Sequence, residues 1–124
     1  MKKYNLIALS LLLLFTAGCV QKAYKKTVVF LLDVKDVKNI KKVGIRGNEK
    51  PLSWDADLEM APVIKDTLYK ATVTFLTGYK FTEMKFAVNG DFELKDKDNR
   101  RVRFADTDTT VYEAKFEIIN PSNK

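Results

Sequence analysis

From Thr27 onward the chain alternates apolar and polar residues with a period of two. Leu68 to Phe75 is the cleanest case: Tyr69, Ala71, Val73 and Phe75 fall on one face, with polar residues between them. That is the pattern of a strand with one face on a core. The stretch from Thr27 to Asp33 is rich in β-branched and aromatic residues, and Val43 to Gly47 alternates apolar with small or polar positions. Met84 to Val88 runs into Asn89-Gly90, a dipeptide suited to a two-residue type I′ turn, with a return strand over Phe92 to Leu94. Val102 to Phe104 and Val111 to Ile118 complete the set. Short strands separated by turn residues predict an all-β chain, an antiparallel β-sandwich of about seven to eight strands. No stretch holds a helical period over three turns, although Asp36 to Lys42 is long enough for a single turn.

The first residues follow a different pattern. Lys2 and Lys3 precede an apolar run from Leu6 to Phe15, and Thr16-Ala17-Gly18-Cys19 follows it. A basic start, a short apolar stretch and small residues form the layout of a secretory signal. The run is too short to span a bilayer, which takes about 20 apolar residues. Small residues directly before the only cysteine resemble a bacterial lipobox. The resemblance implies cleavage after Gly18, lipidation of Cys19 and export to a membrane-anchored location. Val20 stands where an inner-membrane retention signal places Asp, which favours the outer membrane in a diderm bacterium. The expected organisation is a signal peptide over 1–18, a tether over 19–26 and one domain over 27–120.

Of the chain's 124 residues, that cleavage leaves 106, enough for one small domain. The formal net charge of +6 falls to about +4 once Lys2 and Lys3 are removed. Acidic and basic residues are interspersed, so no nucleic-acid stripe stands out. The absence of histidine excludes Ser-His-Asp and Cys-His catalysis and histidine-ligated zinc. A single cysteine excludes an intrachain disulfide. Three Asp-x-Asp pairs (Asp55/Asp57, Asp96/Asp98, Asp106/Asp108) lack EF-hand spacing and read as turn chemistry, so no metal site and no cofactor is expected.

Several segments in order carry a further resemblance. They are Ile45 to Trp54 with its Leu-x-x-Trp ending, the strand from Tyr69 to Val73, the stretch from Glu83 to Leu94, and Asp98-Asn99-Arg100. Together they resemble the starch-binding domains of carbohydrate-binding module family 20 and the glycogen-binding relatives of family 48. The resemblance implies an immunoglobulin-like sandwich that binds α-glucan and performs no chemistry. It assigns Trp54 and Phe92 as aromatic platforms, and Lys85 and Asn99 as hydrogen-bonding partners of the sugar. Phe92 stands where the family has a second tryptophan, and the family's tyrosine-built second site has no clear counterpart.

The residue types suit that role on their own. Pyranose faces carry C–H groups that pack on aromatic rings, and their rims carry hydroxyls that need donors and acceptors. Each residue also has a plainer use. Trp54 can plug one end of the core, Phe92 can pack at an edge, Lys85 can be a solvated outward position, and Asn99 can form a turn. Two functions fit these residues. One is a non-catalytic α-glucan-binding lipoprotein of the bacterial envelope. The other is an envelope interaction module that keeps the fold, binds other envelope proteins and has lost the sugar.

Overall fold

The computed structural model describes residues 22–120. The signal segment and Cys19 lie outside the described residues. Within them the chain forms nine strands and no helix: β1 (Tyr24–Asp33), β2 (Val43–Gly47), β3 (Leu58–Glu59), β4 (Ala61–Ile64), β5 (Leu68–Thr77), β6 (Phe81–Val88), β7 (Asp91–Phe92), β8 (Arg100–Arg103) and β9 (Thr109–Lys115). They make a β-sandwich. One sheet has the order β4-β5-β1-β9; the other runs β3-β2-β6-β7, with β8 also on β6.

The inward positions are those the alternation predicts. Tyr69, Ala71, Val73 and Phe75 are buried from β5, and Val28, Phe30 and Leu32 from β1. They meet Val43 and Ile45 of β2 and Met84, Phe86 and Val88 of β6 in a single core. Phe30 joins the sheets, edge-on to Phe86 at 6.1 Å and to Tyr112 at 5.9 Å between ring centroids. The Asn89-Gly90 turn forms as expected, with φ of 54° and 83° and Val88 opposite Asp91.

The structure differs from the sequence reading in several places. The return strand after Asn89-Gly90 ends at Phe92 and not Leu94, where the chain turns with φ of 51°, and the last strand ends at Lys115 and not Ile118. β3 and β4 were not expected; both are short, lack alternation, and β4 is exposed along its length. The strand set is not wholly antiparallel, because β9 pairs β1 in parallel from Thr27↔Thr109 to Asp33↔Lys115. The path explains this. β8 runs antiparallel to β6, so it ends where β1 begins, and the five-residue link to β9 starts the last strand there in the same direction as β1. The expected tether also ends early. Tyr24, Lys25 and Lys26 pair with Thr77, Leu76 and Phe75, and the Lys26 ammonium donates to the carbonyls of Ala105 and Thr107 at 2.9 and 3.2 Å.

Finally, 36–42 is an irregular loop opening on a turn, Val37 N–H to Val34 C=O at 2.9 Å. Asn89 holds it from the far side. Its Oδ1 accepts from the Lys41 and Lys42 amides, and its amide group donates to Asn39 C=O. Lys115 of β9 pins the same loop through Asp36 at 2.6 Å. The hydrogen bond and charge of Lys115 hold the Asp36 carboxyl below its usual range, and Asp36 correspondingly raises Lys115. What this exposed pair adds to stability is present above the unfolded Asp pKa. It is lost as pH falls through the depressed folded value, and again as pH rises through that of Lys115. Asp36→Asn is therefore expected to leave the melting temperature at neutral pH within about 2 °C of wild type, as read by circular dichroism.

Candidate functional site

The outward positions of β2 and β6 define one face of the second sheet. Val43, Ile45 and Gly47 point inward, which leaves Gly44 and Arg46 outward; Met84, Phe86 and Val88 point inward, which leaves Glu83, Lys85 and Ala87 outward. Register sets Arg46 beside Lys85, Gly44 beside Ala87 and Phe92 on the far side of Ala87. Glu83 sits opposite Arg101 of β8.

Trp54 reaches this face from the loop between β2 and β3. Its ring meets Phe92 edge-on, with centroids 6.1 Å apart and planes 70° apart. Trp54 is only partly buried and lies outside the core cluster, so it is not a core plug. Phe92 remains 41% exposed. The two rings meet at an angle, so they form a cornered surface and not one flat platform.

Arg46, which is not among the residues the resemblance assigns, organises the corner. Its guanidinium carbon lies 4.9 Å from the centroid of Phe92. Its Nε donates to Asp57 Oδ1 at 2.6 Å, and its Nη1 to the Trp54 carbonyl at 3.2 Å. Arg46 thus ties the Trp54 loop to the sheet and covers part of Phe92. Asp57 packs where a side chain at position 44 would stand: a Cβ on Gly44 would meet the Asp57 Cβ at 2.7 Å. Gly44→Ala is expected to displace Asp57 and cost about 1–3 kcal/mol, read as a lower urea midpoint. Strand alternation marks Arg46 as outward, so the signal was in the sequence; nothing local marks Asp57 as its partner.

Lys85 and Asn99 lie on the same face with part of their bonding capacity engaged. The Lys85 ammonium donates to Leu94 C=O and Lys97 C=O, each at 3.0 Å. It braces the 94–97 loop. Asn99 donates its amide to Glu83 Oε2 at 3.2 Å, and Arg101 approaches the other oxygen of Glu83 at 3.7 Å. Glu83, Asp98, Asn99 and Arg101 line a polar recess of about 360 Å³. Trp54 instead lines a broader groove of about 760 Å³ with Asn48, Lys50, Ser53, Asp55 and Leu76 among others. The structure therefore brings Trp54 and Phe92 into contact and puts Lys85 and Asn99 on the same sheet face, with Asn99 in a separate recess from Trp54.

A buried ion pair beneath the surface holds the loop that carries Asn99. Glu93 and Arg100 are both fully buried and bridge its ends in a two-pronged pair, Nε to Oε2 at 2.6 Å and Nη2 to Oε1 at 2.7 Å. Glu93 also accepts from the Phe86 and Glu117 amides, and Arg100 donates to Lys115 C=O. The Arg100 guanidinium lies over the Phe86 ring at 5.4 Å. Burial by itself lowers the Arg100 pKa; the bonds and charge of Glu93, aided by the Tyr112 side chain, outweigh it and hold the group above the usual arginine value. Its Nη1 has no acceptor at hydrogen-bonding geometry.

Among the described residues no group of three or more acidic or cysteine side chains could hold a metal ion, and Asp57 is engaged with Arg46 and Lys42. Chelator is expected to leave the melting temperature unchanged; a calcium-dependent rise would reassign the Asp-x-Asp loops. Comparison with protein-family models and with curated proteins finds no match to this chain.

Proposed function

We propose that the chain is a non-catalytic α-glucan-binding protein, exported and anchored to a bacterial membrane through lipid on Cys19. The observation that carries the reading is the Trp54–Phe92 corner: two aromatic rings in contact outside the core, on a sheet face with Arg46, Lys85 and Asn99. Trp54 stacks on a glucose ring and Phe92 supports it. Donors from Lys85 and Arg46 meet the hydroxyls at the ring's edge, with Lys85 bringing the one N–H its two carbonyl partners leave over, and Asn99 meets hydroxyls further along the glucan from its own recess.

A small stacking surface with few polar partners binds weakly, with Kd on the order of 0.1–1 mM. Wild type is expected to be retarded in gels containing amylopectin or pullulan, but not in gels containing an unrelated β-glucan. Trp54→Ala is expected to abolish the retardation with an unchanged circular dichroism spectrum.

A second reading has its own observation in favour. Arg46 lies over Phe92, and Lys85 and Asn99 are engaged within the protein, as suits an interaction module that kept the fold and lost the sugar. A folded wild type with no shift on any α-glucan, and no response to millimolar maltohexaose, selects this alternative.

A further inference from the structure

We propose that the end of the sandwich where β1 begins is a membrane-seating surface that rests on anionic lipid. Four strand ends meet there. Tyr24 opens β1 opposite Thr77, the last residue of β5, and Phe81 opens β6 opposite Arg103. The turn between β5 and β6 carries Tyr79. Four aromatic side chains are exposed among the described residues, and three are at this end: Tyr24 (57%), Tyr79 (66%) and Phe81. Tyrosine combines an apolar ring with a hydroxyl that bonds at the headgroup level, the composition of side chains enriched at membrane interfaces.

The charge here has the sign that anionic headgroups attract. Lys22, Lys25, Lys80 and Arg103 are exposed, and none forms an ion pair among the described residues. Arg101 lies over the Phe81 ring at 4.3 Å. Asp106 is the acid in the recess that Tyr24, Tyr79, Lys80 and Arg103 share. The opposite end carries cations too, at Lys35, Lys38 and Lys41, but no exposed aromatic ring accompanies them on that loop. Of the two ends of the sandwich, the one where β1 starts combines unpaired cations with exposed rings among the described residues.

The occupant follows from where the chain leads. Cys19 lies five residues before Tyr24, a span of at most about 18 Å fully extended. On the lipid-anchor reading, which this inference extends, that end faces the bilayer within reach of the headgroups. Seated this way, Phe92, opposite Ala87 near the end of β6, stands away from the bilayer, and the groove that Trp54 lines runs down to Leu76 near the seated end.

The test uses the protein as bacteria make it, reconstituted in vesicles of phosphatidylcholine alone or mixed equally with phosphatidylglycerol. Lysines are acetylated, tyrosines are nitrated, and each site is quantified by mass spectrometry. In the anionic vesicles, Lys25, Lys80, Tyr24 and Tyr79 are expected to be labelled at least threefold less than in neutral ones. Lys38 and Lys41 should be unchanged, and the protection should fade in 0.5 M salt. The double variant Lys80→Glu/Arg103→Glu, both sites exposed, should remove the protection at Tyr24 and Tyr79 with an unchanged circular dichroism spectrum. Equal labelling in the two vesicle types overturns the proposal. So does protection of Tyr79 and Lys80 by amylopectin without vesicles, which would make this end a second glycan site. The mass of the Cys19 peptide tests the anchor separately: an unlipidated protein that still shows lipid-dependent protection keeps the seat and loses the anchor.

Discussion

Arg100→Met is expected to lower unfolding free energy by about 3–5 kcal/mol, because it strands the Glu93 carboxylate at a fully buried position. Against a total of about 5–15 kcal/mol for a domain of this kind, that is enough to bring the protein near its unfolding midpoint at 37 °C. The loss comes from removing one partner, not from any large net worth of the pair. The double variant Glu93→Leu/Arg100→Met should therefore recover part of it. Recovery stays incomplete, because the Phe86 and Glu117 amides and the Lys115 carbonyl lose partners as well, and an unmade buried hydrogen bond costs about 1–3 kcal/mol. Urea denaturation of the three proteins measures both steps. A single variant within about 1 kcal/mol of wild type would mean that water reaches Glu93. Arg100 and Glu93 also close the loop carrying Asn99, so under the proposed glucan-binding function both variants should bind α-glucan more weakly than their remaining folded fraction accounts for.

Phe30→Ala is expected to cost a similar 3–5 kcal/mol through a different cause. Its ring is fully buried and packs edge-on against both Phe86 of the other sheet and Tyr112 of β9, which stack on each other at 6.5 Å. Truncation removes the transfer free energy of the ring and leaves a cavity between two sheets that cannot close without moving β1, which is held between β5 and β9. The signature is a fall in urea midpoint with an unchanged m-value. Phe30→Leu, which fills most of the space, should restore more than half of the loss. If alanine and leucine behave alike, the sheets close over the gap and the rings are not the bond between them.

Local pattern determined which residues face the core and which turn joins β6 to β7. Alternation in β5 needs only backbone geometry to bury Tyr69, Ala71, Val73 and Phe75. Asn89-Gly90 needs only its tolerance of positive φ to make the turn. The same alternation left Lys85 and Arg46 facing outward on one sheet. Tertiary structure alone decided the rest. The parallel seat of β9 follows from where β8 ends, information that no window around Thr109 to Lys115 contains. Trp54 is a partner of Phe92 and not a core plug because the loop over 48–57 folds across the sheet, held by Arg46 and Asp57. Glu93 and Arg100 stand at ordinary surface types in the sequence, since such charges are seldom fully buried unless paired. Seven residues apart, they become an interior pair only because the chain between them loops out and returns. Pattern reports the environment of one residue at a time, whereas these partnerships depend on which distant segments the completed sheets bring together.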